Sequence, residues 1–259
     1  MRSLLEIGGR RLPMLRWSAV RMVVGMRKLA REWQVGDGRE AALEEYVLSH
    51  ARAVDLDDAI RAVDEFCETR SVMMNVGDEK GEILDHAVER ASPRRLLELG
   101  AYCGYSGLRM ARIMPVDAHL FSVEFLRANA EIARRIWEHA GVGARITAIE
   151  GSLGDGGETV ARLRSEHGFG EGSVDFVFID HDKAHYLPDL ERIVAEGWLH
   201  PGSIVVADNV KFPGAPEYRE HMRRAEGTTW RTIDHDTHVE YQSLLKDLVL
   251  ESEYLGAAA

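Results

Sequence analysis

The chain is poor in cysteine: only Cys67 and Cys103 occur in 259 residues. Two thiols make no disulfide framework, and without a cleavable secretory signal the sequence points to a reducing, cytoplasmic setting with both thiols free. It also lacks any apolar run near the roughly 20 residues that a membrane-crossing helix needs, so no part of it is predicted to span a bilayer. Positive charge is in deficit. Against 43 Asp and Glu stand 32 Lys and Arg, a net charge of -11, and such a surface repels a phosphate backbone, which argues against nucleic acid as a partner. Repeats, low-complexity tracts and long structureless linkers are missing as well. What is present, 45% apolar residues in a chain of this length, suffices to bury a full core and suits one α/β domain with a short extension.

That extension, residues 1–36, reverses the charge balance. It carries Arg2, Arg10, Arg11, Arg16, Arg21, Arg27, Lys28 and Arg31 against Glu6 and Glu32. Leu15, Ala19, Met22, Val23, Met26, Ala30 and Trp33 recur at helical spacing with arginines on the other flank. Two readings stand: a basic amphipathic helix resting on an anionic membrane surface, or a stripe that packs on the domain or on a second subunit.

From residue 37 to 259 helix and strand patterns alternate, which predicts a doubly wound α/β sheet. Residues 40–53 and 55–70 read as helices, the second opened by Asp55 as its N-cap. Short apolar runs at 94–99, 119–123, 145–149, 174–179 and 203–207 read as parallel strands, and 229–255 as further strands at the sheet edge.

Ligands of open parallel sheets collect outside the carboxyl ends of the strands, so the residues at those five ends carry the argument. They are Glu98 with Gly100, then Glu124, Gly151, Asp180, and Asp208 with Asn209. The first end, LLELGAYCGYS over 96–106, is a strand, a glycine turn and a helix start that lets backbone approach a ligand. Its E-x-G-x-x-x-G pattern departs from a dinucleotide fingerprint. Glu98 there repels pyrophosphate but can pair with an α-ammonium, while Glu124 stands where a Rossmann-like sheet places the acid for ribose hydroxyls. Singly, the glycines read as a tight turn and Glu124 as a helix N-terminal carboxylate; jointly they favour a nucleoside without phosphate. Asp180, Asp208 and Asn209 offer three oxygen donors and no sulfur on neighbouring strands, a set suited to a hard cation, magnesium above all. Lys183, three residues beyond Asp180, is close enough to reach an oxygen on the same ion; His181 stays outside this set.

The segments MNVGDEKG (74–81), LELGAYCGYS (97–106), DHDK (180–183), ADNV (207–210) and FPGAP (212–216) resemble the catechol O-methyltransferase family, in the same order and up to VEY at 239–241. The resemblance implies a class I, S-adenosylmethionine-dependent and cation-dependent O-methyltransferase. Its fold would be a seven-stranded, mostly parallel Rossmann-like sheet with flanking helices. It further implies Asp180, Asp208 and Asn209 as magnesium ligands, Lys183 as general base, and Glu240 as the acceptor that orients the second hydroxyl of a catechol substrate. The cofactor would be held by Glu98, Gly100, Tyr102, Ser106, Glu124, Phe125, Gly151, Ser152, Asp180 and the Val76 backbone, with Met74 near the transferring methyl. A caffeoyl-CoA-type cation-dependent methyltransferase and a non-catalytic, membrane-associated partner protein are the competing readings; Glu240 and the 74–78 segment speak against the first, and the intact set of site residues against the second.

Three positions depart from the family pattern. Val72 stands where a tryptophan flanks the catechol ring, Asp182 replaces a tryptophan between metal aspartate and base, and Leu153 replaces a small polar residue near adenine, while Pro213 remains as a gatekeeper. The opened pocket predicts a larger or more polar ortho-dihydroxy substrate than a small catecholamine.

Overall fold

The computed structural model of the chain describes residues 6–7, 10–11, 37–238 and 245–256. The predicted stripe at 15–33, and Glu240 with its neighbours Val239 and Tyr241, lie outside these. Seven strands form one sheet: β1 (Arg95–Leu99), β2 (His119–Glu124), β3 (Ile146–Glu150), β4 (Val174–Ile179), β5 (Leu199–Ala207), β6 (Trp230–His238) and β7 (Lys246–Tyr254). They lie in the order β3-β2-β1-β4-β5-β7-β6. The ladders from β3 through β5 are parallel, and β7 and β6 complete the sheet antiparallel. This is the doubly wound, mostly parallel fold that the alternating pattern predicts.

The inner strands β1, β2 and β4 are mostly apolar because both sheet faces are covered there, whereas β6 at the sheet edge is largely polar and partly exposed. Successive side chains alternate sides: Leu96, Leu120, Phe176 and Phe178 join one core, whereas Leu97, Leu99, Val177 and Ile179 join the other. The first core is closed by α1 (Arg39–His50), α2 (Leu56–Thr69), α3 (Gly77–Ala91), α4 (Tyr105–Ile113) and α5 (Arg127–His139); the second by α6 (Glu158–His167), α7 (Tyr186–Ala195) and α8 (Pro216–Arg224). Asp55 caps α2, its side chain accepting from the Asp58 amide at 3.0 Å. Cys67 and Cys103 are buried free thiols.

Two elements differ from the sequence expectation. Helix α3 is not among the predicted helices although Leu84, Ala87 and Val88 recur at helical spacing, and it also turns Lys80 and Asp85 inward. Strand β5 begins at Leu199 rather than 203: His200, Pro201 and Gly202 are polar or exposed, and a register shift between Val174 and Phe176 of β4 absorbs them. Among the described residues no helix is long and apolar enough to cross a membrane. Strand order reverses between β1 and β4, and the crevice above such a switch point is where an open α/β sheet receives its ligand.

Candidate active site

At the switch point the turns after β1 and β4 pack back to back. The Gly100 amide donates to the Val123 carbonyl at 2.9 Å and the Asp180 amide to the Leu99 carbonyl at 2.9 Å. Gly100 has φ +101°, and a Cβ there would come within 2.4 Å of the Asp180 carbonyl oxygen, so the turn requires glycine on both conformational and steric grounds. Tyr102 follows at φ 47°, a strained value for an aromatic residue. It is held by its amide, which donates to Glu124 at 2.8 Å, and by its hydroxyl, which donates to Glu40 of α1 at 2.9 Å. Met74, Val76, Gly100, Tyr102, Ser106 and Asp180 line one cavity together with Leu43 and Asn75.

Glu98 is fully buried beneath that cavity rather than lining it. Its carboxyl accepts from the Ser106 and Ser122 hydroxyls, and burial pushes its pKa up to about 7. Glu124, also buried, has its carboxyl raised by burial while the amides of Leu126 and Tyr102 pull it back. Gly151 meets the end of β2 by donating to the Glu124 carbonyl at 3.0 Å. Ser152 is half-buried beside it, and Phe125 is 67% exposed. Leu153 packs into the apolar core with Ile149 and Val160.

The second half of the site sits on β4 and β5, whose last residues Ile179 and Ala207 are register partners. Asp180 and Asp208 therefore stand side by side. The Lys183 Nζ donates to Asp180 Oδ1 at 3.0 Å and also to the Tyr186 hydroxyl. Tyr186 in turn donates its proton to the Asp208 carbonyl at 3.0 Å. Burial, followed by the charges of Asp180 and Asp208, pushes the Tyr186 hydroxyl pKa far up, so it stays a neutral donor. Asp182 caps the short turn that carries the lysine, accepting from the Ala184 amide at 3.1 Å. His181 is turned to Asp189 at 2.9 Å, its ring stacked on Tyr186.

Asp208 and Asn209 are tied to distant chain. Lys80 Nζ lies 2.8 Å from Asp208 Oδ1 and 3.1 Å from Asp247 Oδ2, with all three side chains essentially unexposed. Asp247 also accepts from Asn209 Nδ2 and from the Phe212 amide, each at 2.9 Å. Burial raises the Asp247 carboxyl, but the Lys80 ammonium and these donors outweigh it and leave its pKa lowered. Asn209 adopts φ 52°, a left-handed conformation that asparagine tolerates better than most residues. Among the described residues no group of three His, Cys, Asp or Glu is placed to hold a metal ion. The oxygen set on these strand tips is of another kind, two carboxylates and an amide, and its chemistry fits a hard cation.

On the rim, Arg39 of α1 donates to the Val72 carbonyl. Sequence reasoning missed Glu40, Lys80, Tyr186 and Asp247. Tyr186 was findable, since it follows Lys183 by one helical turn, and Lys80 lies inside the 74–81 segment. Asp247 carries no local signal.

Residues 52–246 match the O-methyltransferase family. A probable O-methyltransferase of Mycobacterium tuberculosis is 57% identical over 235 residues, 91% of this chain and all of that one. Catechol O-methyltransferase B of Danio rerio is 40% identical over 84% of this chain and 80% of its own length. Among solved structures, the O-methyltransferase from Bacillus cereus in complex with SAH superposes with a TM-score of 0.60 at 19% identity, covering 91% of this chain and 99% of that one.

Proposed function

The chain belongs to the O-methyltransferase family, and we propose that its acceptor is an ortho-dihydroxy aromatic whose oxygens meet a magnesium ion at Asp180, Asp208 and Asn209. That it is an S-adenosylmethionine-dependent O-methyltransferase of the catechol O-methyltransferase type follows from the family and its relatives. Met74, Val76, Gly100, Tyr102, Ser106 and Asp180 would hold S-adenosylmethionine, because they wall the cavity at the switch point. That cofactor supplies a methyl group on a sulfonium, open to in-line displacement by an aligned oxygen. A hard divalent cation favours the ionised form of a hydroxyl bound to it.

The chain's own residues supply the proton chemistry. Lys183 is partly exposed, 18% at its side chain, and a lysine beside the bound acceptor would take a hydroxyl proton. Tyr186 steadies it from behind: its own proton points to the Asp208 carbonyl, leaving the phenol oxygen to accept from Nζ. Glu240, carried by the resemblance, would orient the second hydroxyl. The observation that carries the reading is the meeting of Asp180, Asp208 and Asn209 on adjacent strand tips, with Lys183 at 3.0 Å from the first.

Two positions that are aromatic in the family pattern, Val72 and Asp182, are not aromatic here. Val72 is fixed at the rim by Arg39, and Asp182 is spent on capping its own turn. A bulkier or more polar catechol is therefore the preferred acceptor. The test is methyl transfer to 3,4-dihydroxybenzoate and to a panel of catechols, with magnesium and with excess chelator. Undiminished turnover in chelator would remove the cation from the reading, and a panel in which simple catecholamines beat every bulkier catechol would remove the substrate preference.

A further inference from the structure

Asn209 poses a problem that Asp180 and Asp208 do not. A carboxylate shows the same oxygen on both sides, but an amide has one oxygen and one NH2 group, and only the oxygen can ligate a hard cation. Something must decide which way it faces. On the inner side its Nδ2 meets a buried carboxylate, Asp247 Oδ2, at 2.9 Å.

We propose that Asp247 is the positioning residue that sets the Asn209 amide, drawing its nitrogen inward and so presenting its oxygen to the cation site. The inference rests on the cation reading above. Asp247 sits at the start of β7, 38 residues beyond Asn209, with no exposed side-chain surface. Its carboxylate only accepts, so it binds Asn209 Nδ2 at 2.9 Å and would repel the amide oxygen of a reversed side chain. Both of its oxygens are anchored: Oδ1 takes the Phe212 amide, and Oδ2 takes Lys80 together with Asn209. It therefore cannot swing to follow a turning amide. Lys80 supplies the counter-charge without which a buried carboxylate is strongly destabilising, and through its second contact with Asp208 Oδ1 it ties the two residues of the pair to one buried ammonium. Groups that orient metal ligands in this way typically matter about 10- to 100-fold in metal affinity.

The experiment titrates Mn2+ into the full chain without S-adenosylmethionine, reading free Mn2+ by electron paramagnetic resonance, with S-adenosylhomocysteine affinity measured alongside. Asp247→Asn is expected to weaken Mn2+ binding about 10- to 100-fold while S-adenosylhomocysteine affinity stays near native. The exchanged pair Asn209→Asp with Asp247→Asn keeps the total charge and leaves a carboxylate, which shows oxygen to the ion whichever way it turns; it is expected to recover most of the loss. A native chain that binds no Mn2+ overturns the cation reading itself. Native binding with an equally tight Asp247→Asn overturns the positioning role alone, as does an exchanged pair no better than the single variant. Should Asp247→Asn fail to fold, a crystal structure of the native chain with Mn2+ decides: Asn209 oxygen on the ion and nitrogen on Asp247 is expected, and any other orientation overturns the proposal.

Discussion

The two halves of the site are assembled from very different lengths of chain. On the β1–β2 side the decisive contacts are local, with Glu98 meeting Ser106 eight residues on and Tyr102 meeting Glu124 after 22. On the β4–β5 side Asp208 and Asn209 depend on Lys80 and Asp247, which lie 167 residues apart. The first half is shaped by backbone, through a glycine turn and amide donors; the second by charged side chains locked in a low-dielectric interior, where an uncompensated member is costly. A motif can specify the first, whereas only the completed fold can specify the second.

The sharpest way to break this contrast is Lys183→Met, which should lower kcat by about 10²- to 10⁴-fold, the usual worth of a general base. Isothermal titration with S-adenosylhomocysteine should show near-native affinity. Parallel loss of both would mean the halves do not act separately. Glu98→Gln probes the local half through pH. Because burial raises the Glu98 pKa from 4.5 to about 7, the folded chain keeps a proton across that interval that the unfolded chain has released. Stability from this group is therefore full below pH 4.5, falls between 4.5 and 7, and is level above, a change of at most about 3.5 kcal/mol at roughly 1.4 kcal/mol per unit. Thermal melts at pH 5 and pH 8 should show a slope in the native chain that the glutamine variant lacks; equal slopes would refute the burial argument.

Gly100→Ala tests where the halves touch. Its Cβ would strike the Asp180 carbonyl at 2.4 Å from a positive φ, costing about 1–3 kcal/mol in chemical denaturation. Cofactor affinity should fall, and Mn2+ affinity with it, since Asp180 is displaced; an Mn2+ affinity left untouched would show that the contact transmits nothing. The smallest effect is expected for Tyr186→Phe, which removes one hydrogen-bonding hydroxyl worth about 0.5–1.5 kcal/mol. Steady-state kinetics should show a drop in kcat of up to about tenfold, with the KM for S-adenosylmethionine unchanged.

What could be read from sequence follows the same division. The five parallel strands read as apolar runs, and Glu98, Glu124, Gly151, Asp180 and Asp208 stand at or just beyond their carboxyl ends, as that reading predicts. Pattern alone did not say which way a tip residue faces: Glu98 belongs to the inner side of its strand and is taken up by Ser106 and Ser122. The apolar spacing of helix α3 accounts for Leu84, Ala87 and Val88 but not for Lys80 and Asp85, charges that it also turns inward. Asp247 looked like any acidic residue near a strand start. Its role exists only once the β5–β7 ladder has brought it behind Asn209.

Arg39 and Glu40 are neighbours on α1, yet one grips the Val72 carbonyl ahead of α3 and the other the Tyr102 hydroxyl in the turn after β1. A single helix thus works as a hasp between these two segments. Its position is therefore one mechanical variable shared by two segments far apart in sequence, so a displacement of α1 would be felt at both.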